Sequence, residues 1–77
     1  MSISAISTLD TTYTVRLDEA SATVTYVGEG AINSVESNPV WRIRKLTTTG
    51  SVLAIQWADG NQNFDNVWTD RASLTYT

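Results

Sequence analysis

The sequence contains no cysteine and no histidine. The first absence removes disulfide staples, and the two together remove the ligands of the common structural zinc frameworks. With no Ser in a nucleophile-elbow context either, the usual means of activating a nucleophile near neutral pH are missing. Charge is also scarce: only 17% of residues are charged, and the formal net charge is −3. Arg42, Arg44 and Lys45 make the one basic cluster, which disfavours a protein that tracks nucleic-acid phosphates with clustered Lys and Arg. No apolar run approaches the roughly 18 residues needed to cross a bilayer. The stretch Met1 to Ile6 has neither a basic region nor a long apolar one, so the sequence predicts no membrane association, no signal peptide and synthesis in the cytoplasm.

What the chain does have is a moderate apolar fraction, 42%, with three Trp, three Tyr and one Phe among 77 residues. Those aromatics carry much of the burial a chain of this size can make. At this length one domain is expected, near the limit at which a single core suffices, and self-association is a recognised way to gain stability. The remaining surface is rich in Ser and Thr, which sit well in strands.

Hydrophobic periodicity predicts five strands. In residues 1–11 Ile3, Ile6 and Leu9 recur every third position, but Ser and Thr are poor helix-interior residues, so an arm or irregular lead-in is preferred to a short helix. From Thr12 the period becomes two, with Tyr13, Val15 and Leu17 on one face. Asp18 to Ser21 reads as a turn, and Ala22, Val24 and Tyr26 alternate in a second strand, which gives a hairpin over 12–27. Gly28-Glu29-Gly30 is expected to end it, before a long loop reaching Pro39. Val40 to Leu46 puts Trp41 and Ile43 opposite Arg42 and Arg44; a bulge near Arg44 would bring Leu46 onto the Trp41 face, and otherwise Val40 and Leu46 contact a second surface. After a turn at Thr47 to Gly50, Leu53, Ile55 and Trp57 align in a fourth strand. Asp59-Gly60 is a strong turn signal, and Ser73 to Thr77 alternates again as the fifth. Domain 12–77 is therefore expected to be all-β, a small antiparallel β-sandwich or partly open barrel of about five strands, preceded by the arm 1–11.

The run Val40-Trp41-Arg42-Ile43, Gly50, Ile55, Ala58-Asp59-Gly60, Phe64-Asp65-Asn66-Val67-Trp68, Arg71 and Leu74-Thr75-Tyr76 resembles small proteins encoded by tailed phages, many from aquatic environments. The likeness covers roughly residues 24–77. It implies a phage origin and a virion structural role, but no mechanism that can be carried over residue by residue.

Four sets of residues are candidates for chemistry. Asp59, Asn61, Asn63 and Asp65 place an oxygen at every second position, as at the start of a calcium loop. Gly60, however, is second in the run instead of sixth, and Asp70 stands where a closing Glu is required, so a hydrogen-bonded turn is preferred to a metal site. Paired carboxylates could in principle hydrolyse a glycoside, but nearly all of Asp10, Asp18, Glu19, Glu29, Glu36, Asp59, Asp65 and Asp70 fall in expected turns or loops. No catalytic residue, cofactor or metal is assigned. Arg42 and Arg44, with Lys45 adjacent, form a charged face that fits either a solvated surface or a contact with Glu29, Glu36 or Asp70 of a neighbouring copy. Trp41 and Trp57 are expected in the core, whereas Trp68 and Tyr76 suit an interface equally well.

These readings converge on a noncatalytic structural protein of a phage particle. It would self-associate as a homo-oligomer through strand edges and complementary charged faces, with Arg42, Arg44, Lys45, Trp68 and Tyr76 as candidate interface residues and other virion proteins as further partners. Its expected location is the virion, after synthesis in the bacterial host. The alternative is a small binding module whose exposed aromatics engage a glycan or a single-stranded nucleic acid.

Overall fold

The computed structural model describes residues 12–77; the expected arm, 1–11, lies outside them. The strands are β1 (Thr14–Glu19), β2 (Val24–Gly30), β3 (Pro39–Thr49), β4 (Val52–Trp57) and the two-residue β5 (Asn66–Val67), followed by a 3-10 helix at Trp68–Ser73. They form one antiparallel sheet in the order β1-β2-β3-β4, with β5 paired to the start of β3. The all-β expectation is met, but the sheet is not closed into a barrel, and among the described residues no second sheet packs on it.

The expected fifth strand does not form. Tyr76 makes a single bridge to Ala58, and the segment before it coils into the 3-10 helix, where the Ser73 hydroxyl donates to the Asp70 carbonyl at 2.9 Å. From Phe64 to Ala72 the sequence lacks period-two alternation, so nothing commits that stretch to a ladder. It becomes a lid over one face of the sheet.

Turn chemistry fixes the hairpins. Between β1 and β2, the Ser21 hydroxyl accepts from the N–H groups of Thr23 at 3.2 Å and Val24 at 3.1 Å, which closes the loop in the manner of a short polar side chain that mimics backbone. Between β3 and β4, Thr49 pairs with Val52, so the loop is just Gly50-Ser51. Gly50 has φ of +61°, the left-handed geometry that two-residue hairpins demand.

β2 continues past its expected end, through Gly28, Glu29 and Gly30. The reason lies across the sheet. Gly28 is a flat place on which the Trp68 ring rests, and an added β-carbon would lie 2.5 Å from Trp68 Cε3. Above that face the buried cluster gathers Tyr26, Trp41, Ile43, Ala58 and Trp68, with Val24, Val40, Leu74 and Tyr76 packed around it. The Trp41 and Trp68 rings lie 6.1 Å apart and tilted, as do Tyr26 and Tyr76 at 5.7 Å, both within the spacing of favourable aromatic pairs. Trp41 Nε1 donates to the Val35 carbonyl at 3.0 Å, which ties the long loop before β3 to the core.

The pairing of β2 with β3 runs without interruption from Val24↔Thr47 to Glu29↔Arg42. No bulge occurs at Arg44; the irregularity in β3 falls instead between Pro39 and Trp41. Strict alternation therefore keeps Leu46 on the face of Arg42 and Arg44, opposite Trp41 and Ile43. Read across the strands from the register, that second face holds the rows Val15-Glu29-Arg42, Leu17-Val27-Arg44-Trp57 and Glu19-Thr25-Leu46-Ile55. Both faces of the sheet are thus substantially apolar. The 3-10 helix and the chain after it cover the first.

Candidate assembly interface

β1 and β4 are the two outer strands of the four-strand path. β4 reads Val52-Leu53-Ala54-Ile55-Gln56-Trp57 and carries no charged residue and no proline. Its large side chains stand open: Val52 is 63% exposed, Leu53 47% and Ile55 55%. Proteins ordinarily protect an outer strand with Lys, Pro, a bulge or a covering loop, because its unpaired N–H and C=O groups are a template for another strand.

One end of β4 is covered. Trp57 and Thr77 exchange both backbone bonds, N to O at 3.2 and 3.1 Å, and the Asp59 N–H donates to the Thr75 carbonyl at 2.8 Å. Backbone groups alternate sides along a strand. Since those of Trp57 face Thr77, outward from the sheet, those of Ile55 and Leu53 face outward as well, while Ala54 and Gln56 direct theirs to β3.

Comparison with known families, curated proteins and solved structures finds no match. The site therefore stands on its own geometry.

The basic cluster is used within the chain. Arg42 Nη2 and Arg44 Nη1 both reach Glu29 Oε1, at 3.1 and 3.2 Å, with Arg42 Nε also donating to it at 3.3 Å. Glu29 is buried, one residue from the end of β2 and directly opposite Arg42. The sequence offered Glu29, Glu36 and Asp70 as acids for a neighbour's arginines; Glu36 also has a partner in its own chain, Arg16, at 2.7 Å, whereas Asp70 is exposed. Aromatic rings surround the triad. The Arg42 guanidinium lies 4.6 Å from the Phe64 centroid, 5.5 Å from Tyr13 and 5.7 Å from Trp57, and Arg44 lies 5.3 Å from Trp57. Tyr13 and Phe64 stack at 5.6 Å. Trp57, expected in the core, belongs to this second face instead.

Lys45, on the opposite face, lies 5.8 Å over the Tyr76 ring. Trp68 is buried in the core, flanked by Arg71, whose guanidinium lies 4.6 Å over its ring and whose Nε donates to Asp18 Oδ2 at 2.9 Å. Tyr76 is half-buried and donates its hydroxyl to the Arg71 carbonyl at 2.8 Å. Of the five residues proposed from sequence, then, Arg42 and Arg44 come together on one face, whereas Lys45, Trp68 and Tyr76 belong to the other. None lies on β4. That strand was legible as an apolar hairpin arm, but its position on the outside of the sheet depends on strand order, which periodicity does not carry.

Burial pushes the Tyr76 phenol well above its ordinary range, with Tyr26 and Asp59 adding to the shift and Arg71 opposing it. A raised folded-state value means that protonated Tyr76 contributes stability in full below the unfolded phenol's pKa of about 10 and loses it as pH rises beyond. Thermal melts taken through that range should fall in midpoint, and Tyr76→Phe should flatten the decline. An equally steep decline in the variant would assign it to other groups.

The Asp59 to Asp65 run forms a turn. Asp59 and Gly60 have φ of +59° and +69°, Asn61 Nδ2 donates to the Asp59 carbonyl at 3.3 Å, and the Asn63 N–H donates to Asn61 Oδ1 at 2.9 Å. Among the described residues no three acidic side chains gather as metal ligands, and no helix is long and apolar enough to cross a membrane.

Proposed function

We propose that the chain is a noncatalytic structural component of a phage particle that works by self-association, with β4 as the joining element. One observation carries this: β4 is uncharged and apolar, and the outward backbone groups of Leu53 and Ile55 lie within an exposed stretch. Pairing such edges between copies satisfies the backbone and removes apolar surface from water in one step. The phage assignment rests on the resemblance carried by Val40 to Ile43, Ala58 to Gly60 and Phe64 to Trp68. The arginines have a smaller part than the sequence suggested, because Glu29 already engages both.

Light scattering across a wide concentration range, at low and high salt, tests the reading. The native chain should give a mass above that of one copy, insensitive to salt because the joining strand is neutral. Ile55→Lys should return it to the monomer with its circular dichroism still native, since that side chain is exposed. A native chain that stays monomeric at all concentrations would refute self-association.

A specific observation also favours the alternative binding module. Phe64 is 40% exposed and stacks on Tyr13 beside Arg42, a ring platform of the kind on which sugars or bases stack. Quenching of Trp57 fluorescence by oligosaccharides or oligothymidylate, abolished by Phe64→Ala, would support that reading.

A further inference from the structure

The stretch of β4 open to a partner is bounded on both sides. Thr77 occupies the outward backbone groups of Trp57, and the two-residue turn Gly50-Ser51 ends the strand beyond Val52. Five residues remain, Val52 to Gln56, with Ala54 at their centre.

Within this window only Leu53 and Ile55 direct N–H and C=O outward. An antiparallel partner must bring its own outward residues opposite these two. If the partner is a second copy, related by a two-fold axis, a limited set of registers does so. Centring on Leu53 would pair Ile55 with Ser51, outside the strand. Centring on Ile55 would bring Leu53 against Trp57, whose outward groups Thr77 already holds. Centring on Ala54 pairs Leu53 with Ile55 and Ile55 with Leu53, which makes two hydrogen-bonded pairs and four backbone bonds. It also places Val52 against Gln56 and Ala54 against itself.

We infer that two copies of this chain join β4 to β4, antiparallel, about a two-fold axis passing beside Ala54. The inference rests on the self-association proposed above. The side chains suit it. No charge lies on β4 to meet its own image, and the residue at the axis is the smallest in the strand, as suits a non-hydrogen-bonded pair whose Cα atoms approach to about 4.5 Å. Leu53 of each copy meets Ile55 of the other, on the face that already carries Leu46, so the apolar strip runs unbroken across the joint. Such a contact is isologous and closes on itself. The β4 joint therefore makes a dimer, and any larger assembly grows from another surface.

Because the chain has no native cysteine, single-cysteine variants read the register directly. Val52, Ala54 and Gln56 share one face. At the axis, Ala54→Cys brings two thiols within the roughly 4.4–6.8 Å Cα separation that a disulfide needs. Val52→Cys and Gln56→Cys place theirs four residues apart along the strands, about 13 Å. Under mild oxidation Ala54→Cys should convert to a covalent dimer while the other two remain single chains. Each reduced variant is first required to match the native mass and circular dichroism, which keeps folding failure separate. If the native chain is dimeric but Ala54→Cys does not cross-link, or all three cross-link alike, the register is wrong and self-association stands. If the native chain is monomeric and Ala54→Cys stays uncoupled, both fall.

Discussion

Gly28→Ala should destabilise the domain by about 3 kcal/mol, the upper part of the range for forcing an extra carbon into a packed interior. The new methyl would stand 2.5 and 2.7 Å from Trp68 Cε3 and Cζ3 and 3.3 Å from Trp41 Cε3. Neither ring can readily move away: Trp41 is fully buried and tied to Val35, and Trp68 is held between Trp41 and Arg71. In a domain this small, a loss of that size lowers the melting temperature by roughly 12–24 °C. Urea unfolding followed by tryptophan fluorescence measures it. The cost should also couple to Trp68, so that adding Trp68→Leu to Gly28→Ala costs much less than the sum of the two single changes. A Gly28→Ala variant within about 0.5 kcal/mol of the native chain, the range of an ordinary surface substitution, would mean that Trp68 does not rest on β2.

Glu29→Ala should cost about 2 kcal/mol. Removing one member of a buried charged group typically costs about 3–5 kcal/mol, because the remaining charge is left unpaired. Here both arginine side chains retain 21% exposure, so water recovers part of that. The aromatic rings around Arg42 and Arg44 would still hold them, now without a counter-charge. The triple replacement Glu29→Leu, Arg42→Met and Arg44→Met should regain most of the loss, as apolar substitutes for buried ion groups commonly do. Chemical denaturation of the single and triple variants makes the comparison, and an unchanged Glu29→Ala midpoint would mean that the triad is solvated. Neither variant should change the solution mass, since the triad lies within one chain.

Both predictions come from features that period-two reading does not display. Gly28-Glu29-Gly30 reads as a strand terminator, because glycine lacks strand propensity and a lone glutamate suggests solvent. It continues the strand because its residues have partners distant in sequence: Trp68 for Gly28, Arg42 and Arg44 for Glu29, and Thr14 across the ladder for Gly30. By contrast, the alternation of Trp41 and Ile43 with Arg42 and Arg44 was legible, since it depends only on strand geometry. The turn expected at Thr47 to Gly50 falls later, at Gly50-Ser51, because Thr47 to Thr49 stay in β3 and pair with Val52 to Ala54. Leu46 follows the second of the two readings open to it, on the Arg42 and Arg44 face, while the bulge that would have brought it beside Trp41 does not form. The last alternating stretch, Ser73 to Thr77, pairs only at its end, where Thr75 and Thr77 bond to Asp59 and Trp57 around the Tyr76 bridge to Ala58.

The same gap separates the interface residues read from sequence from the outer strand proposed above as the joining element. Charge and aromaticity mark Arg42, Arg44, Lys45, Trp68 and Tyr76, and the fold binds each of them to groups of its own chain. β4 carries neither mark. Its significance comes from lying outermost, with two residues turned outward and no charge to deter a partner.

Amide hydrogen exchange, resolved by residue and repeated over a range of protein concentrations, tests the central claim most directly. The Leu53 and Ile55 amides should exchange freely in dilute solution and gain protection as concentration rises, while Ala54 and Gln56, bonded to β3, stay protected throughout. If Leu53 and Ile55 exchange at the same rate at every concentration, β4 is not where copies of this chain meet.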